Sequence, residues 1–112
     1  MPEEKISFSD WEKIDLRTAT IKEAKQHPNA DKLFILQVDL GDETRQLVAG
    51  LKRHYTPEEL IGKRIVILAN LEPKPLRGEM SNGMILAAVT ENQEQVVLLT
   101  TDKEVPNNTK IM

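Results

Sequence analysis

Residues 70–88 read NLEPKPLRGEMSNGMILAA and carry the clearest structural pattern in the chain. They begin where one apolar run, residues 65–69 (IVILA), ends, and they finish inside a second run, residues 84–89 (MILAAV). Prolines, glycines, a lysine and an arginine lie between the two runs, a composition typical of strands joined by a stiff loop. This stretch predicts two strands presenting a rigid cationic loop, which suits an anionic partner of defined shape better than catalysis.

Further strand patterns flank this stretch. Apolar and β-branched residues predict strands at residues 16–25, 33–40, 45–51 and 95–100. Turn sequences separate them: HPNAD at residues 27–31, GDET at 41–44 and ENQE at 91–94. The predicted order is three strands, a short helix, two strands and an additional hairpin arm.

The helix between the third and fourth strands has clear start and stop signals. Thr56 can cap it, Pro57 fits the first helical position, Glu59 completes a capping box and Gly62 ends it. A shorter helical turn near the N-terminus is predicted with Ser9 as its N-cap.

This element order indicates an all-β protein with a small closed barrel. The five-stranded OB-fold with one short helix matches best, and such barrels commonly bind oligonucleotides on one face and its flanking loops. With 112 residues the chain is expected to be one domain, residues 1–112. Residues 1–6 are predicted to be a tail, and residues from about 91 to 112 a C-terminal β extension.

The overall charge does not by itself indicate a nucleic-acid binder. The formal net charge is −3, whereas such proteins are usually basic. A local basic patch can nevertheless lie on an acidic body, and residues 52–54 (KRH), residues 63–64 (KR) and Lys74 with Arg77 could form one. The alternative is a well-mixed, solvated surface.

The sequence contains little that supports catalysis. It has no cysteine, its two histidines, His27 and His54, lie outside any metal-binding spacing, and Ser81 is not in a nucleophile elbow. No catalytic residue, cofactor or metal site is therefore predicted. No apolar run is long enough for a membrane span and no signal peptide is recognisable, so a cytoplasmic location is expected.

Six segments occur in an order that resembles a known family. They are residues 15–21 (DLRTATI), 27–33 (HPNADKL), 48–51 (VAGL), 55–63 (YTPEELIGK), 69–78 (ANLEPKPLRG) and 81–88 (SNGMILAA). Together they resemble the tRNA-binding domain at the C-terminus of many methionyl-tRNA synthetases, which also occurs as a stand-alone structure-specific tRNA-binding protein. The resemblance covers the chain from about Phe8 to Ile111.

This resemblance implies an OB-fold that binds folded tRNA by shape and is not itself an enzyme. It also implies a homodimer formed through the C-terminal extension, and a chain that is either stand-alone or attached to the catalytic body of a methionyl-tRNA synthetase. Carried over by position, the predicted tRNA contacts are Asn29, Lys32, Lys52, Asn70, Lys74, Arg77, Ser81 and Met84. The cations would meet phosphates, the polar side chains sugar or phosphate oxygens, and the methionine an exposed ribose or base.

Several of these residues have a purely structural interpretation. Lys32 could cover apolar surface with its stem, Asn29 could stabilise a turn, and Met84 could belong to the core. Pro73, Pro75, Gly78 and Gly83 are expected to shape the loop. The turn at residues 105–109 (VPNNT) has asparagine where glycine is expected, which asparagine's tolerance of positive φ allows.

Two other functions remain open from the sequence. A family of secretion-type, peptide-binding chaperones shares this barrel and dimer, and it would need an apolar groove. A purely structural dimerisation arm is the third interpretation.

The scarcity of aromatic residues argues against generic single-strand binding, for which stacking platforms are typical, and favours a folded RNA.

Overall fold

A computed structural model of the chain describes residues 4–112. Residues 1–3 of the predicted N-terminal tail lie outside the described residues. The helices are α1 (Phe8–Glu12) and α2 (Pro57–Leu60). The strands are β1 (Leu16–Gln26), β2 (Phe34–Asp39), β3 (Thr44–Ala49), β4 (Arg64–Leu68), β5 (Lys74–Leu76), β6 (Glu79–Ser81), β7 (Met84–Ile85), β8 (Ala87–Val89), β9 (Val96–Leu98) and β10 (Lys110–Ile111). Within the described part, no helix is long and apolar enough to cross a membrane.

The long strand β1 organises the barrel. Its second half pairs antiparallel with β2 and its first half with β4, and Thr20 has a partner in both. A register shift between Ile21 and Glu23 bends the strand, as bulges do. The strand order β3-β2-β1-β4-β7 follows, with β10 added beside the start of β1.

The barrel closes through a few hydrogen bonds between β3 and residues 80–82. The backbone N–H of Asn82 donates to the Gln46 carbonyl (2.8 Å), and the Gln46 side chain donates to the Met80 carbonyl (2.9 Å). The Ser81 hydroxyl accepts from the Val48 N–H. The predicted five-stranded OB-type barrel is confirmed, and side chains supply part of its final seam.

The core is mainly aliphatic, as the composition requires. Its largest fully buried apolar side chains are Ile21, Leu36, Val38, Leu47, Leu60, Ile65 and Ile67. One of them, Leu60, comes from α2, so the helix packs against the barrel. Burying a side chain of this size contributes about 1.5–3 kcal/mol relative to leaving it exposed.

Both helices are capped by side chains, but one cap differs from the prediction. The α2 capping box is confirmed: Thr56 accepts from the Glu59 N–H (3.2 Å), and the Glu59 carboxylate accepts from the Thr56 N–H (2.8 Å). Ser9 was the wrong N-cap for α1. Ser7 has the extended conformation that a cap needs, and its hydroxyl accepts from the Asp10 N–H (3.1 Å), so Ser9 lies inside the helix.

The loop region also differs in detail from the expected two-strand arrangement. Residues 74–81 form an additional hairpin, β5–β6. The strand predicted at residues 84–89 is divided at Leu86, whose N–H donates to Val66 of the barrel (3.0 Å) while its carbonyl accepts from Leu99 of the arm (3.1 Å). Leu86 is therefore where the chain passes from barrel to arm, and β9 is shorter than the predicted strand.

The C-terminal extension comprises the β8–β9 pair and a return segment along β1. Thr18 is fully buried, and its hydroxyl donates to the Pro106 carbonyl (2.9 Å) and accepts from the Thr109 N–H (2.9 Å). Asn108 has φ +66°, so asparagine does take the positive-φ position in this turn. These bonds fasten residues 106–111 to the barrel, and β10 is a strand that the sequence did not predict.

Candidate nucleic-acid interface

Three turns lie next to one another on the barrel. They are the β1–β2 turn (residues 27–33), the turn after β3 (residues 50–55) and the β5–β6 hairpin. His27 Nε2 is 2.8 Å from the Leu76 carbonyl, which links the first turn to the hairpin. A β-carbon placed on Gly50 would be 3.8 Å from Leu33 Cδ2, which brings the second turn against the first. The predicted cations on these turns therefore share one region of the surface.

The β1–β2 turn is held by its own hydrogen bonds. The side-chain amide of Gln26 donates to the Ala30 carbonyl (2.8 Å), and the His27 N–H donates to the Leu33 carbonyl (3.0 Å). His27 Nδ1 accepts from the Asn29 N–H (2.9 Å). Because both ends and the centre of the turn are bonded, the backbone of Asn29 and its neighbours has a defined conformation.

The β5–β6 hairpin has a two-residue turn with unusual backbone angles. Leu76 pairs with Glu79, which leaves Arg77 (φ +55°) and Gly78 (φ +91°) at the tip. Positive φ at both positions is the signature of a type I′ turn, whose usual first residue is asparagine, aspartate or glycine. Arginine in this position costs about 1–2 kcal/mol of backbone strain, so its side chain is a candidate for function.

A mainly apolar groove of about 520 Å³ lies beside the hairpin. Leu51, Leu71 and Val96 are among the apolar residues that line it. Lys74, Ser81 and Met84 line it as well, so the fold brings three of the eight predicted contacts to one groove. The groove also satisfies the structural condition that the sequence analysis set for a peptide-binding chaperone.

The four predicted phosphate-binding cations are all exposed. Lys32 and Lys52 lie on the first two turns, Lys74 lies on β5 and Arg77 lies at the hairpin tip. Within residues 4–112, none of these four side chains forms a salt bridge or a hydrogen bond. Their charges are therefore free to meet an external anion. Asn29 is exposed on the same turn as Lys32.

Asn70 and Ser81 are engaged internally. The Asn70 amide accepts from the Asp15 N–H (3.0 Å) and donates to the Lys13 carbonyl (2.6 Å), which fastens the end of β4 to the segment before β1. Ser81 is buried, and its hydroxyl accepts from the Val48 N–H (3.0 Å) and donates to the Gly83 carbonyl (3.1 Å). These bonds leave the two side chains with a structural role in this conformation.

Met84 belongs partly to the surface. It pairs with Leu68 in β7, yet 47% of it is exposed and it lines the groove. The neighbouring Gly83 has φ +129°, and a β-carbon there would lie 3.1 Å from both Leu47 Cδ2 and the Leu68 carbonyl oxygen. Gly83 therefore shapes the loop, as expected.

Of the two cations predicted at residues 63–64, Lys63 contacts the turn after β3, whereas Arg64 is bonded to the C-terminal extension. Lys63 Nζ lies 5.8 Å from the centre of the Tyr55 ring, a cation–π distance. The Arg64 guanidinium donates to the Val105 carbonyl of the C-terminal extension. The part of the chain that the structure describes also contains no group of three metal-ligating side chains.

His27 is the residue that the sequence analysis undervalued. It was considered only as a metal ligand, whereas its buried ring joins two of the three turns. The local signal was available: a histidine two residues before an asparagine, with proline between, can accept an N–H bond in the manner of an Asx turn. Its second partner, Leu76, is 49 residues away and could not be read from the sequence.

A five-stranded antiparallel barrel with exposed cations on adjacent turns is typical of small nucleic-acid-binding barrels. The tRNA_bind family model, described as "Putative tRNA binding domain", matches residues 16–110. The match covers most of the chain, so this chain belongs to that family.

Curated relatives include methionine–tRNA ligases. That of Thermococcus kodakarensis is 56% identical over 108 residues, which are 96% of this chain and 14% of the ligase. That of Methanocaldococcus jannaschii is 47% identical over 108 residues, 96% of this chain and 16% of the ligase. The chain thus spans only about one seventh of the length of these relatives.

Solved structures of similar chains include two kinds of protein. A MetRS-related protein from Pyrococcus horikoshii has a TM-score of 0.91 and 33% identity, with 97% of this chain and 99% of that chain covered. The chaperone CsaA from Bacillus anthracis has a TM-score of 0.90 and 35% identity, with coverage of 97% and 100%. The barrel alone therefore does not distinguish a synthetase-related protein from a chaperone.

Proposed function

We propose that this chain is a non-catalytic tRNA-binding module that holds folded tRNA through its backbone and shape. The observation that carries the proposal is the set of four free cations, Lys32, Lys52, Lys74 and Arg77, on three adjacent turns. Phosphate contacts of this kind supply affinity without reading sequence. Membership of the tRNA-binding domain family supports tRNA as the anion.

The placement of the aromatic residues supports a folded RNA over a single strand. Single-strand binders stack bases on exposed aromatic rings. Phe34 is buried, and the half-buried Tyr55 accepts the Leu98 N–H through its hydroxyl (3.1 Å). Phe8 and Trp11 lie on α1 beside the C-terminal strand, in a depression whose lining residues do not come from the three turns. The site therefore offers charge and shape without a stacking platform.

Within this proposal the eight predicted contacts have different roles. Asn29 and the four cations contact sugar or phosphate oxygens, and Met84 makes the apolar contact at the groove. Asn70 and Ser81 act indirectly, because their polar atoms are already used to fasten β4 and to close the barrel.

We further propose that the module works as part of a methionyl-tRNA synthetase or as a stand-alone homologue that assists aminoacylation. The similarity to methionine–tRNA ligases supports this, and the chain itself corresponds to a small part of such an enzyme. A tethered module raises the effective concentration of tRNA at the enzyme without adding chemistry. A cytoplasmic location stays a prediction of the sequence.

A homodimer formed through the C-terminal extension is also part of the proposal. Val97 pairs with Ala88 across the β8–β9 arm, and Leu99 lies two residues beyond Val97 on the same face. All three are exposed. A second apolar depression lies between α1 and the C-terminal residues, where Phe8, 72% exposed, faces solvent. Exposed apolar faces of this kind favour association with a second copy.

The decisive experiment compares the binding of folded tRNA with that of a same-length RNA that does not fold, at low salt. The test variant is Lys74→Ala with Arg77→Ala. The matched control, Lys5→Ala with Lys103→Ala, removes the same charge from exposed positions outside the three turns. We expect wild type and control to prefer folded tRNA and the test variant to lose at least about a hundredfold in affinity, since each of the two charged contacts contributes about 1.5–3 kcal/mol.

Equal binding of both RNAs, or equal losses in the test and control variants, would reject the proposed site. The chaperone function is the second candidate because the apolar groove and the similarity to CsaA favour it. A chain that ignores tRNA but suppresses the aggregation of an unfolded protein, and loses this activity on Met84→Glu at the groove, would establish it. A chain that has neither activity but forms a stable dimer would support the third interpretation, in which the protein is a structural dimerisation arm.

A further inference from the structure

We propose that His27 is a positioning residue for tRNA binding, because its neutral imidazole holds the β1–β2 turn and the β5–β6 hairpin as one surface. The inference rests on the proposed tRNA-binding function and deepens it. It concerns how Asn29 and Lys32 on one turn and Arg77 on the other keep a fixed mutual geometry.

The two hydrogen bonds of His27 define its protonation. The Asn29 N–H donates to Nδ1 (2.9 Å), so Nδ1 carries no proton. The Leu76 carbonyl lies 2.8 Å from Nε2 and can only accept, so Nε2 carries the proton. Only 2% of His27 is exposed, and both of its ring nitrogens are used. One side chain thereby connects backbone atoms that are 47 residues apart, at positions 29 and 76.

The bridge ends next to a residue with an unfavourable backbone conformation. Leu76 directly precedes Arg77, whose φ of +55° is unfavourable for a side chain with a β-carbon. Gln46 fastens the other strand of the hairpin through the Met80 carbonyl (2.9 Å). With both strands fastened, the tip is held against its strain, and the backbone of Arg77 keeps a fixed position relative to Asn29.

Among the described residues, the hydrogen bonds of the His27 ring connect one pair of turns, the β1–β2 turn and the β5–β6 hairpin. The turn after β3, which carries Lys52, packs near Leu33 but has no hydrogen bond to His27 among the described residues. Loss of the bridge should therefore uncouple Arg77 from the β1–β2 turn and leave the contribution of Lys52 unchanged.

The test uses two substitutions that separate the two hydrogen bonds of the ring. His27→Asn keeps a short acceptor for the Asn29 N–H but cannot reach Leu76, whereas His27→Gln can extend an amide N–H to the Leu76 carbonyl. We expect His27→Asn to weaken binding of folded tRNA about tenfold, the size of one well-placed hydrogen bond. His27→Gln should recover most of that loss, and thermal denaturation confirms that both variants are folded at the assay temperature.

A double-mutant cycle measures the coupling between His27 and Arg77 in tRNA binding. A general loss of stability would not produce such coupling. Arg77→Ala should cost about tenfold in affinity in wild type but only about twofold in the His27→Asn background, because the two act through one geometry. Lys52→Ala, the control, should cost the same in both backgrounds. Nitrogen-15 NMR of the free chain should identify the Nε2–H tautomer of His27.

The outcomes separate this inference from the proposed function. A wild-type chain that does not bind folded tRNA overturns both. Normal tRNA binding with additive losses in the His27–Arg77 cycle, or with no loss in His27→Asn, overturns the positioning role alone. An Nδ1–H tautomer would also overturn it, since that proton would face the Asn29 N–H.

Discussion

The hydroxyl of Ser81 accepts a hydrogen bond from the backbone N–H of Val48 at 3.0 Å, and this bond joins β3 to the segment that leads into β7. The same hydroxyl donates to the Gly83 carbonyl at 3.1 Å. One small polar side chain therefore completes the seam of the barrel where no continuous strand ladder forms. The groove that contains Lys74 and Met84 lies along this seam.

Ser81→Ala should lower the free energy of unfolding by about 1–3 kcal/mol, because the buried Val48 N–H would lose its acceptor. Urea denaturation measures this, with Ser9→Ala as control, since the Ser9 hydroxyl bonds only the exposed Ser7 hydroxyl. Below its unfolding transition the Ser81 variant should bind tRNA within twofold of wild type. A large loss of affinity there would instead support the direct contact predicted from the sequence.

Gly83→Ala should be more destabilising than Gly62→Ala. Both glycines have positive φ, but a β-carbon on Gly83 would meet Leu47 and the Leu68 carbonyl at 3.1 Å, whereas one on Gly62 meets nothing within 4 Å. Backbone strain alone costs about 1–2 kcal/mol, and crowding adds about 1–3 kcal/mol at Gly83 only. Equal midpoints of urea unfolding in the two variants would contradict this account of the seam.

Arg77→Asn should stabilise the fold and weaken tRNA binding. Asparagine followed by glycine is the preferred pair for a type I′ turn, so relief of strain should raise the free energy of unfolding by about 0.5–1 kcal/mol. Affinity should fall because the cation is gone. Arg77→Ala is the control: it removes the charge but keeps a β-carbon at φ +55°, and should bring no gain in stability. A destabilised Arg77→Asn chain would disprove the strain argument.

The salt dependence of tRNA binding should report the number of cations that contact phosphates. Log affinity should fall linearly with log salt, and each phosphate contact should contribute about 0.7–0.9 to the slope. Lys74→Ala with Arg77→Ala should therefore reduce the slope by about 1.4–1.8. The Lys5 and Lys103 control pair should leave it unchanged. A flat salt response in wild type would argue against phosphate contacts altogether.

Val97→Lys should convert a dimer into a monomer in sedimentation experiments, if the exposed face of the β8–β9 arm is the contact between copies. Val97 is 51% exposed within the chain, so the substitution should not unfold it. Ile61→Lys is the matched control, since Ile61 is 52% exposed and lies just after α2. Dissociation by both substitutions, or a monomeric wild-type chain, would reject this interface.

Most of the fold was predictable because its signals are local. The capping box of Thr56 and Glu59 lies within four residues, and strand alternation and turn composition likewise act over short distances. One error, the N-cap of α1, came from a local choice between two serines, whereas the division of the strand at Leu86 and the addition of β10 depended on distant partners. Ser7 and Ser9 are both acceptable caps by composition, and the choice between them depended on which one could adopt the extended conformation.

The candidate site was only partly predictable. The sequence identified the cations of the turns and the rigid proline- and glycine-rich loop, because residue type and spacing are sufficient for both. It did not distinguish side chains that are free from those already used. Asn70 and Lys74 looked equally available, yet the Asn70 amide bonds two backbone groups more than 50 residues earlier in the chain.

The amino-acid sequence thus established the main barrel strands, the capped helix α2 and the charge carried by the turns, since each depends on a few neighbouring residues. Tertiary structure determined the groove, the Ser81 seam and the pairing of His27 with Leu76. These features require residues 33 and 49 positions apart to meet within hydrogen-bonding distance. That proximity exists only after β1 has bent and the barrel has closed, because hydrogen bonds of this length need atoms held in a fixed mutual orientation.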